Sequence, residues 1–210
     1  MERRLECAGF WSFKEFPDVS HYGTNTGAQR ITYALDMATS SAVPVEEYLR
    51  TTYHPDMEYL EGQLVERHVG EYFHSRLQSL IIGLLLSRER ERRFRVFAEQ
   101  RVKVSDRPRY RIPDICVKAV PHPITPILLR PDLAIEIVSP DDEATEMLAK
   151  IGDYLAAGIP HIWVIDPYKR TLVEADQSGI RQSESQVLST SLVGEIDFAE
   201  LFHQLDEPAE

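Results

Sequence analysis

Apolar positions along the chain predict an α/β domain. Phe73, Leu77, Leu80, Ile81 and Leu84 recur at helical spacing and indicate a long helix over residues 71–92. Alternating or continuously apolar runs predict strands over residues 94–104, 111–120, 132–138 and 161–166. Between the last two strands, residues 139–160 predict a helix, with acids in its first turn and Gly-Ile-Pro at its end. Such a strand, helix and strand form a crossover unit, so part of the sheet is expected to be parallel.

The pattern also divides the chain into an arm and a single domain. Residues 1–42 show no sustained period and are expected to be a partly ordered arm, and residues 43–210 form the domain. A short helix over residues 45–51 and a hairpin of residues 57–60 and 63–67 begin this domain as an N-terminal helix-hairpin extension. Residues 171–200 are hairpin-like and precede a short terminal helix. The expected fold is therefore an α/β fold in which part of the sheet is parallel.

Composition narrows the class of protein. With 43% apolar and 27% charged residues, the chain is typical of a globular protein with a real core. Its longest apolar run, residues 80–86, is far shorter than the roughly 20 residues that cross a bilayer, and the N-terminus lacks a secretory pattern. We therefore expect a cytoplasmic protein with no membrane partner. Cys7 and Cys116 are too few for a zinc site, and Cys116 is expected to be a buried apolar side chain.

The formal net charge of −11 counts against broad affinity for nucleic acid, because phosphate binding depends on lysine and arginine. Locally segregated charge, or a cluster of metal-binding carboxylates, is compatible with the same total.

Two acids occupy strands in which acids are disfavoured. Asp114 lies within Ile-Pro-Asp-Ile-Cys-Val, and Glu136 lies within Leu-Ala-Ile-Glu-Ile-Val. Burying a carboxylate is costly unless it is paired or binds a cation, and hard oxygen ligands suit Mg²⁺ or Mn²⁺. The pair therefore predicts a divalent-metal site. The alternatives are a turn or strand-end role for Asp114 and an ion pair of Glu136 with an arginine such as Arg111.

Lys150 completes a candidate catalytic set. It lies three residues after Met147 and four before Tyr154, so it borders the apolar stripe of a helix that starts just after the Glu136 strand. From there its side chain can reach back over the carboxylates. Two acids, a metal and a lysine can activate a water and stabilise the charge that develops on an attacked phosphate. The alternative is a solvated helix lysine.

The ordered acids and lysine resemble the PD-(D/E)XK nuclease superfamily and, within it, the bacterial Uma-two family of restriction endonucleases. The matching segments are residues 110–114 (Tyr-Arg-Ile-Pro-Asp), 131–140 (Pro-Asp-Leu-Ala-Ile-Glu-Ile-Val-Ser-Pro), 150–154 (Lys-Ile-Gly-Asp-Tyr), 157–160 (Ala-Gly-Ile-Pro), 162–167 (Ile-Trp-Val-Ile-Asp-Pro), 58–62 (Glu-Tyr-Leu-Glu-Gly) and His74.

This resemblance implies a restriction-endonuclease-like core, which is a mixed sheet flanked by helices, and a nuclease site that uses Mg²⁺ or Mn²⁺. It implies that the metal is held by the side chains of Asp114 and Glu136 and the carbonyl of Ile137. The chain departs from the superfamily pattern at Val138, where the catalytic lysine usually stands. Members of the superfamily can carry that lysine on the following helix, and Lys150 matches the alternative position.

Four further residues have open roles. His74 is either a partly buried helix histidine satisfied by a neighbour or an accessory site residue. Glu58 is either a further acid near the metal or an edge-strand charge. Arg109 and Arg111 are equally suited to contact phosphate or to pair with carboxylates.

The leading hypothesis is a metal-dependent endonuclease that hydrolyses phosphodiester bonds in DNA, with a homodimer as a way to address two strands. The main alternative is a catalytically inactive nuclease-like fold that serves as a binding or assembly module. A hydrolase of small phosphoesters is a third reading.

Overall fold

The computed structural model describes residues 42–67 and 70–206. The arm predicted over residues 1–42 lies, apart from residue 42, outside these ranges. The four helices of the described residues are α1 (Val45–Arg50), α2 (Tyr72–Arg92), α3 (Ala144–Ala156) and α4 (Phe198–Asp206). Across the described ranges, none of the helices combines the length and apolar character needed to cross a membrane.

Thirteen strands of the described residues form three sheets. They are β1 (Met57–Leu60), β2 (Gln63–Glu66), β3 (Phe94–Ala98), β4 (Val102–Lys103), β5 (Arg109–Arg111), β6 (Ile115–Ala119), β7 (Leu128–Leu129), β8 (Leu133–Ile137), β9 (Ile162–Asp166), β10 (Thr171–Asp176), β11 (Gly179–Gln182), β12 (Val187–Thr190) and β13 (Gly194–Asp197).

The main sheet has six strands in the order β11-β10-β9-β8-β6-β3. Strands β8 and β9 pair in parallel, and the other neighbours are antiparallel. Helix α3 connects the parallel pair, which confirms the predicted crossover unit. The predicted helix and hairpin at the start of the domain are also present, and β1 of the hairpin pairs with β5 in a second sheet ordered β2-β1-β5-β4-β7. Strands β12 and β13 form the third sheet.

The alternation of side chains along β8 divides the interior between the two faces of the main sheet. Ile135 and its neighbours at every second position pack in a cluster with Leu77, Ile81 and Leu85 of α2. Burying each of these side chains contributes about 1.5–3 kcal/mol. Ala134 and Val138 pack on the opposite face, in a cluster with residues of α3. Glu136 shares their parity, so the strand directs its carboxylate to the α3 side.

Two strand predictions were wrong in their bounds. The alternating run over residues 94–104 is divided between β3 of the main sheet and β4 of the second sheet, with a positive φ of 49° at Glu99. Tertiary contacts explain the break, since the guanidinium of Arg101 lies 4.5 Å from the ring centroid of Tyr48 in α1 and donates a hydrogen bond to the Thr51 carbonyl. The run over residues 111–120 is likewise divided, and Asp114 lies in the bend between β5 and β6 rather than inside a strand.

Candidate metal centre

Asp114 and Glu136 lie side by side across two neighbouring strands. The antiparallel register pairs Ile115 of β6 with Ile135 of β8, so one further step along both chains places Asp114 beside Glu136. The backbone N–H of Ile137 donates to Asp114 Oδ2 at 2.7 Å, which fixes this arrangement. Both side chains are buried, with 4% of Asp114 and 2% of Glu136 exposed. The two acids predicted from sequence are thus brought together.

Asp114 is held by cationic and neutral donors on both carboxylate oxygens. Arg67 Nη2 lies 2.6 Å from Oδ1, and His74 Nε2 lies 3.3 Å from Oδ2, which also accepts the Ile137 N–H. Burial alone would raise the pKa of Asp114, but the hydrogen bond and charge of His74, with the charge of Arg67, hold it below its usual range. Asp114 is therefore ionised. The same contact outweighs burial at His74 and raises the pKa of its imidazole.

The bend that presents Asp114 is fixed through its backbone. The Gln78 side chain and the Glu99 N–H donate to the Asp114 carbonyl at 3.0 Å and 3.2 Å. Two residues earlier, the Ile112 N–H donates to Glu58 Oε1 at 3.0 Å. Together with Arg67, which follows β2, four other segments of the chain therefore position the Asp114 carboxylate: α2, the turn after β3, β1 and β8.

Glu136 is the second acid, and its two oxygens face α3. The Tyr154 hydroxyl donates to Oε1 through a short hydrogen bond, and Lys150 Nζ lies 3.3 Å from Oε2. Burial raises the pKa of Glu136 to about 7, against the attraction of Lys150 and with the help of repulsion from Asp114. A cation added beside both acids would remove this repulsion and favour the ionised form.

Lys150 lies where the sequence predicted, over Glu136 and only 18% exposed. Burial would lower the pKa of its ammonium, but the charges of Glu136, Glu58 and Asp114 raise it above its ordinary value. These surroundings therefore favour the protonated, cationic form of the lysine.

Glu58 belongs to a buried ion-pair network. Arg111 Nη1 lies 2.6 Å from Glu58 Oε2, and its guanidinium also donates to Asp153 of α3 at 2.7 Å. Strand β1 lies between β2 and β5 and Glu58 is 1% exposed, so the edge-strand alternative for this residue was wrong. Arg109 lies 2.8 Å from Asp153, and both arginines therefore pair with carboxylates. Arg111 pairs with Glu58 rather than with Glu136.

A cavity of about 220 Å³ lies beside the site. Its lining includes the cations Arg67, Arg109, Arg111 and Lys150 and the acids Glu58, Glu66, Asp142 and Glu146. Two of the cations that touch the paired acids, Arg67 and Lys150, therefore face a space that a ligand can enter.

The donor set fits a hard divalent cation. Mg²⁺ keeps several waters and is commonly bound through one or two carboxylates together with substrate phosphates. Asp114, in the bend before β6, and Glu136 of β8 supply two carboxylates at adjacent positions of the strand register. The Ile137 carbonyl follows Glu136 in the chain. Over residues 42–67 and 70–206 there is no group of three or more histidine, cysteine, aspartate or glutamate side chains arranged to hold a metal. The fit therefore depends on these two acids.

Sequence reasoning missed Arg67 and Tyr154 as site residues. Arg67 follows a hairpin strand and meets Asp114 across 47 positions of sequence, so no local pattern indicates the contact. Tyr154 was assigned to the apolar face of its helix, and its ring is fully buried. A buried tyrosine hydroxyl needs a partner, and Glu136, a strand acid on that face of the sheet, was the available indication.

Fold and site place the chain among nuclease-like α/β proteins. It matches the crystal structure of a protein from Anabaena variabilis ATCC 29413 described as a "putative nuclease belonging to DUF820", with a TM-score of 0.69 and 27% identity. The match covers 78% of this chain and 99% of that chain. The Uma2 family model, described as "Putative restriction endonuclease", matches residues 45–201. The chain belongs to this family, as its motifs predicted. No curated protein matches it.

Proposed function

We propose that the protein is a divalent-metal-dependent nuclease that hydrolyses phosphodiester bonds, with DNA as the substrate. The observation that carries this proposal is the juxtaposition of Asp114 and Glu136, both buried, with Lys150 Nζ at 3.3 Å from Glu136. An acid pair of this kind is costly to bury and is expected where a cation binds. Membership of a family described as restriction endonucleases, and a structural relative described as a nuclease, support the same reaction class.

Each residue has a distinct role in this proposal. Asp114, Glu136 and the Ile137 carbonyl would hold Mg²⁺ or Mn²⁺, which when bound supplies Lewis-acid activation of the phosphodiester. Lys150, a fixed cation beside Glu136, stabilises the negative charge that builds on the phosphate as water attacks. Tyr154 orients the Glu136 carboxylate through its hydrogen bond. His74 is an accessory residue that holds Asp114.

Local positive charge offers a path for nucleic acid in spite of the net charge of −11. A groove of about 950 Å³ shares Arg109 with the site cavity and is also lined by Lys103, Arg107 and Arg130, so that four cations face the three acids Glu61, Asp106 and Asp153. Among the described residues, Lys103 and Arg130 have no acidic partner within salt-bridge distance. Unpaired cations of this kind suit phosphate contacts.

The test is a cleavage assay with purified protein, Mg²⁺ or Mn²⁺, and single-stranded and double-stranded DNA and RNA. Wild type is expected to cut at least one substrate in a metal-dependent manner. Asp114→Asn, Glu136→Gln and Lys150→Met are each expected to lower the rate by about 10²-fold or more, the scale on which removing a stabiliser of transition-state charge acts. Variants that cut as fast as wild type would rule out the site. Arg181→Gln, which removes a half-exposed arginine of β11, is the matched control.

One observation favours a second candidate, a nuclease-like module that binds or assembles without turnover. Protein donors contact all four carboxylate oxygens of Asp114 and Glu136, as they would in a site that has no metal to bind. This candidate predicts a dimer or hetero-complex and no metal requirement. Metal-dependent cutting that the Glu136→Gln variant abolishes would refute it.

A further inference from the structure

We propose that Arg67 is an internal counter-cation, which holds Asp114 in the metal-free protein and releases it when a divalent ion binds. This inference rests on the proposed function, since it concerns the same two acids. It assigns a role to a residue that directly follows β2, a strand of the second sheet, whereas Glu136 lies in β8 of the main sheet.

The contacts of Asp114 identify the oxygen that can change partners. Oδ2 accepts the Ile137 N–H, a backbone group fixed within β8, and lies 3.3 Å from His74 Nε2. Oδ1 is contacted by Arg67 Nη2 at 2.6 Å, and this is the contact that the described part of the chain gives to that oxygen. A side chain can leave without breaking the strand pairing. Oδ1 is therefore the oxygen that Arg67 and a metal would share.

Charge balance indicates that Arg67 and a divalent ion compete for Asp114. When both acids are ionised, Asp114 and Glu136 face the two fixed cations Arg67 and Lys150, with His74 also beside Asp114, so their negative charge is already balanced when no metal is present. A divalent ion added beside both cations would leave an excess of positive charge in a buried space, where repulsion is poorly screened. Either substrate phosphate or the departure of one cation must offset this excess. Arg67 is the cation that contacts Asp114 Oδ1, whereas His74 lies against Oδ2.

The surroundings of Arg67 offer its guanidinium alternative positions. Its Nη1 lies 3.7 Å from Glu99 Oε1, and the Glu99 side chain is 47% exposed, so a small rotation exchanges a buried acid for a more solvated one. Arg67 also lines the 220 Å³ cavity together with Lys150. A guanidinium released toward that cavity can bind a phosphate through two parallel hydrogen bonds. The same side chain thereby neutralises the Asp114 carboxylate before metal binding and contacts the substrate phosphate afterwards.

The opposing explanation is a static salt bridge that only supports the fold. The two explanations differ in the sign of one effect. A static bridge that positions Asp114 predicts that neutralising Arg67 weakens metal binding. A competing counter-cation predicts that neutralising Arg67 strengthens it.

The test is calorimetric titration of the full chain with Mn²⁺, in the absence of nucleic acid, at one slightly alkaline pH. A hydrogen bond to a charged group corresponds to about a tenfold to hundredfold change in an equilibrium constant. Arg67→Gln is therefore expected to bind Mn²⁺ at least about tenfold tighter than wild type. Arg67→Lys, which restores the charge, is expected to return the affinity most of the way to the wild-type value, and Arg181→Gln to match wild type.

Equal or weaker binding by a folded Arg67→Gln protein would overturn the inference while leaving the metal site intact. If wild type shows no binding, the appearance of binding in Arg67→Gln supports the inference. Absence of binding in every variant overturns both this inference and the proposed function.

A measurement on the wild type covers the case in which Arg67→Gln does not fold. The Nε–H resonance of Arg67, assigned by its loss in Arg67→Lys, is followed by NMR as Mg²⁺ is added. A shift that saturates with Mg²⁺ binding supports displacement of Arg67. An unmoved resonance at saturating Mg²⁺ would show that Arg67 keeps its place and that the inference is wrong.

Discussion

Replacing Glu58 with alanine removes the β1 acid from a buried ion pair. The Glu58 and Arg111 side chains are 2% and 6% exposed, and their closest charged atoms are 2.6 Å apart. Breaking a buried pair by removing one partner costs about 3–5 kcal/mol, because the other charge stays buried. Asp153 remains as a second partner of Arg111, which reduces the loss, whereas the Ile112 N–H loses its acceptor, which increases it. We therefore expect a loss of about 3–5 kcal/mol in the free energy of unfolding.

In a chain of this size such a loss lowers Tm by roughly 6–20 °C. Urea denaturation followed by circular dichroism measures the free energy, and a thermal scan measures Tm. Glu61→Ala is the matched control, since Glu61 lies 3.3 Å and 3.5 Å from Arg107 and Arg109 but is 44% exposed. Exposed pairs contribute about 0–1 kcal/mol. Equal losses in the two variants would refute the reasoning, because burial would then make no difference to the energy of the pair.

Three other variants test separate parts of the structure. Tyr154→Phe leaves a buried Glu136 oxygen without its hydroxyl donor and is expected to cost about 1–3 kcal/mol in urea denaturation, against less than about 0.5 kcal/mol for the exposed Tyr72→Phe. Lys103→Glu is expected to weaken nucleic-acid binding and to flatten its salt dependence, as measured by fluorescence anisotropy over a salt series; an unchanged affinity would exclude the groove. The hydrogen bond from the Ser178 side chain lowers the pKa of Asp176 from 3.8 to about 2. The ionised Asp176 carboxylate therefore stabilises the fold above pH 3.8, and this stabilisation is lost as the pH falls through 2. Wild type and Asp176→Asn are therefore expected to differ in urea midpoint at neutral pH and to converge in strong acid, and a gap that persists there would contradict this.

Local patterns predicted those parts of the fold and site that are encoded locally. The direction of the Glu136 side chain can be read from the sequence of β8, since Ala134, Glu136 and Val138 occupy every second position and so share one face of the strand. This face is the α3 side of the sheet. The spacing of Lys150 along α3 predicted its position over that acid, and the structure confirms the placement. The roles of these residues in catalysis remain proposals.

The rest of the site depends on contacts between distant segments. Residues 94–104 alternate as one strand would, and no glycine or proline interrupts them. The break near Glu99 follows from the attachment of Arg101 to α1, which no local pattern indicates. The division of residues 111–120 at Asp114 follows from pairing with two different sheets. No local pattern indicates the contact of Arg67 with Asp114 either, because it also joins distant segments of the chain.

The central claim is that the carboxylates at positions 114 and 136 share a divalent cation. Crystals of the full chain soaked in Mn²⁺, with data collected at a wavelength where manganese scatters anomalously, test it directly. We predict an anomalous peak between Asp114 and Glu136 in wild type and its loss in Glu136→Gln. Well-ordered density for both side chains without such a peak, or a peak bound elsewhere, would contradict the claim.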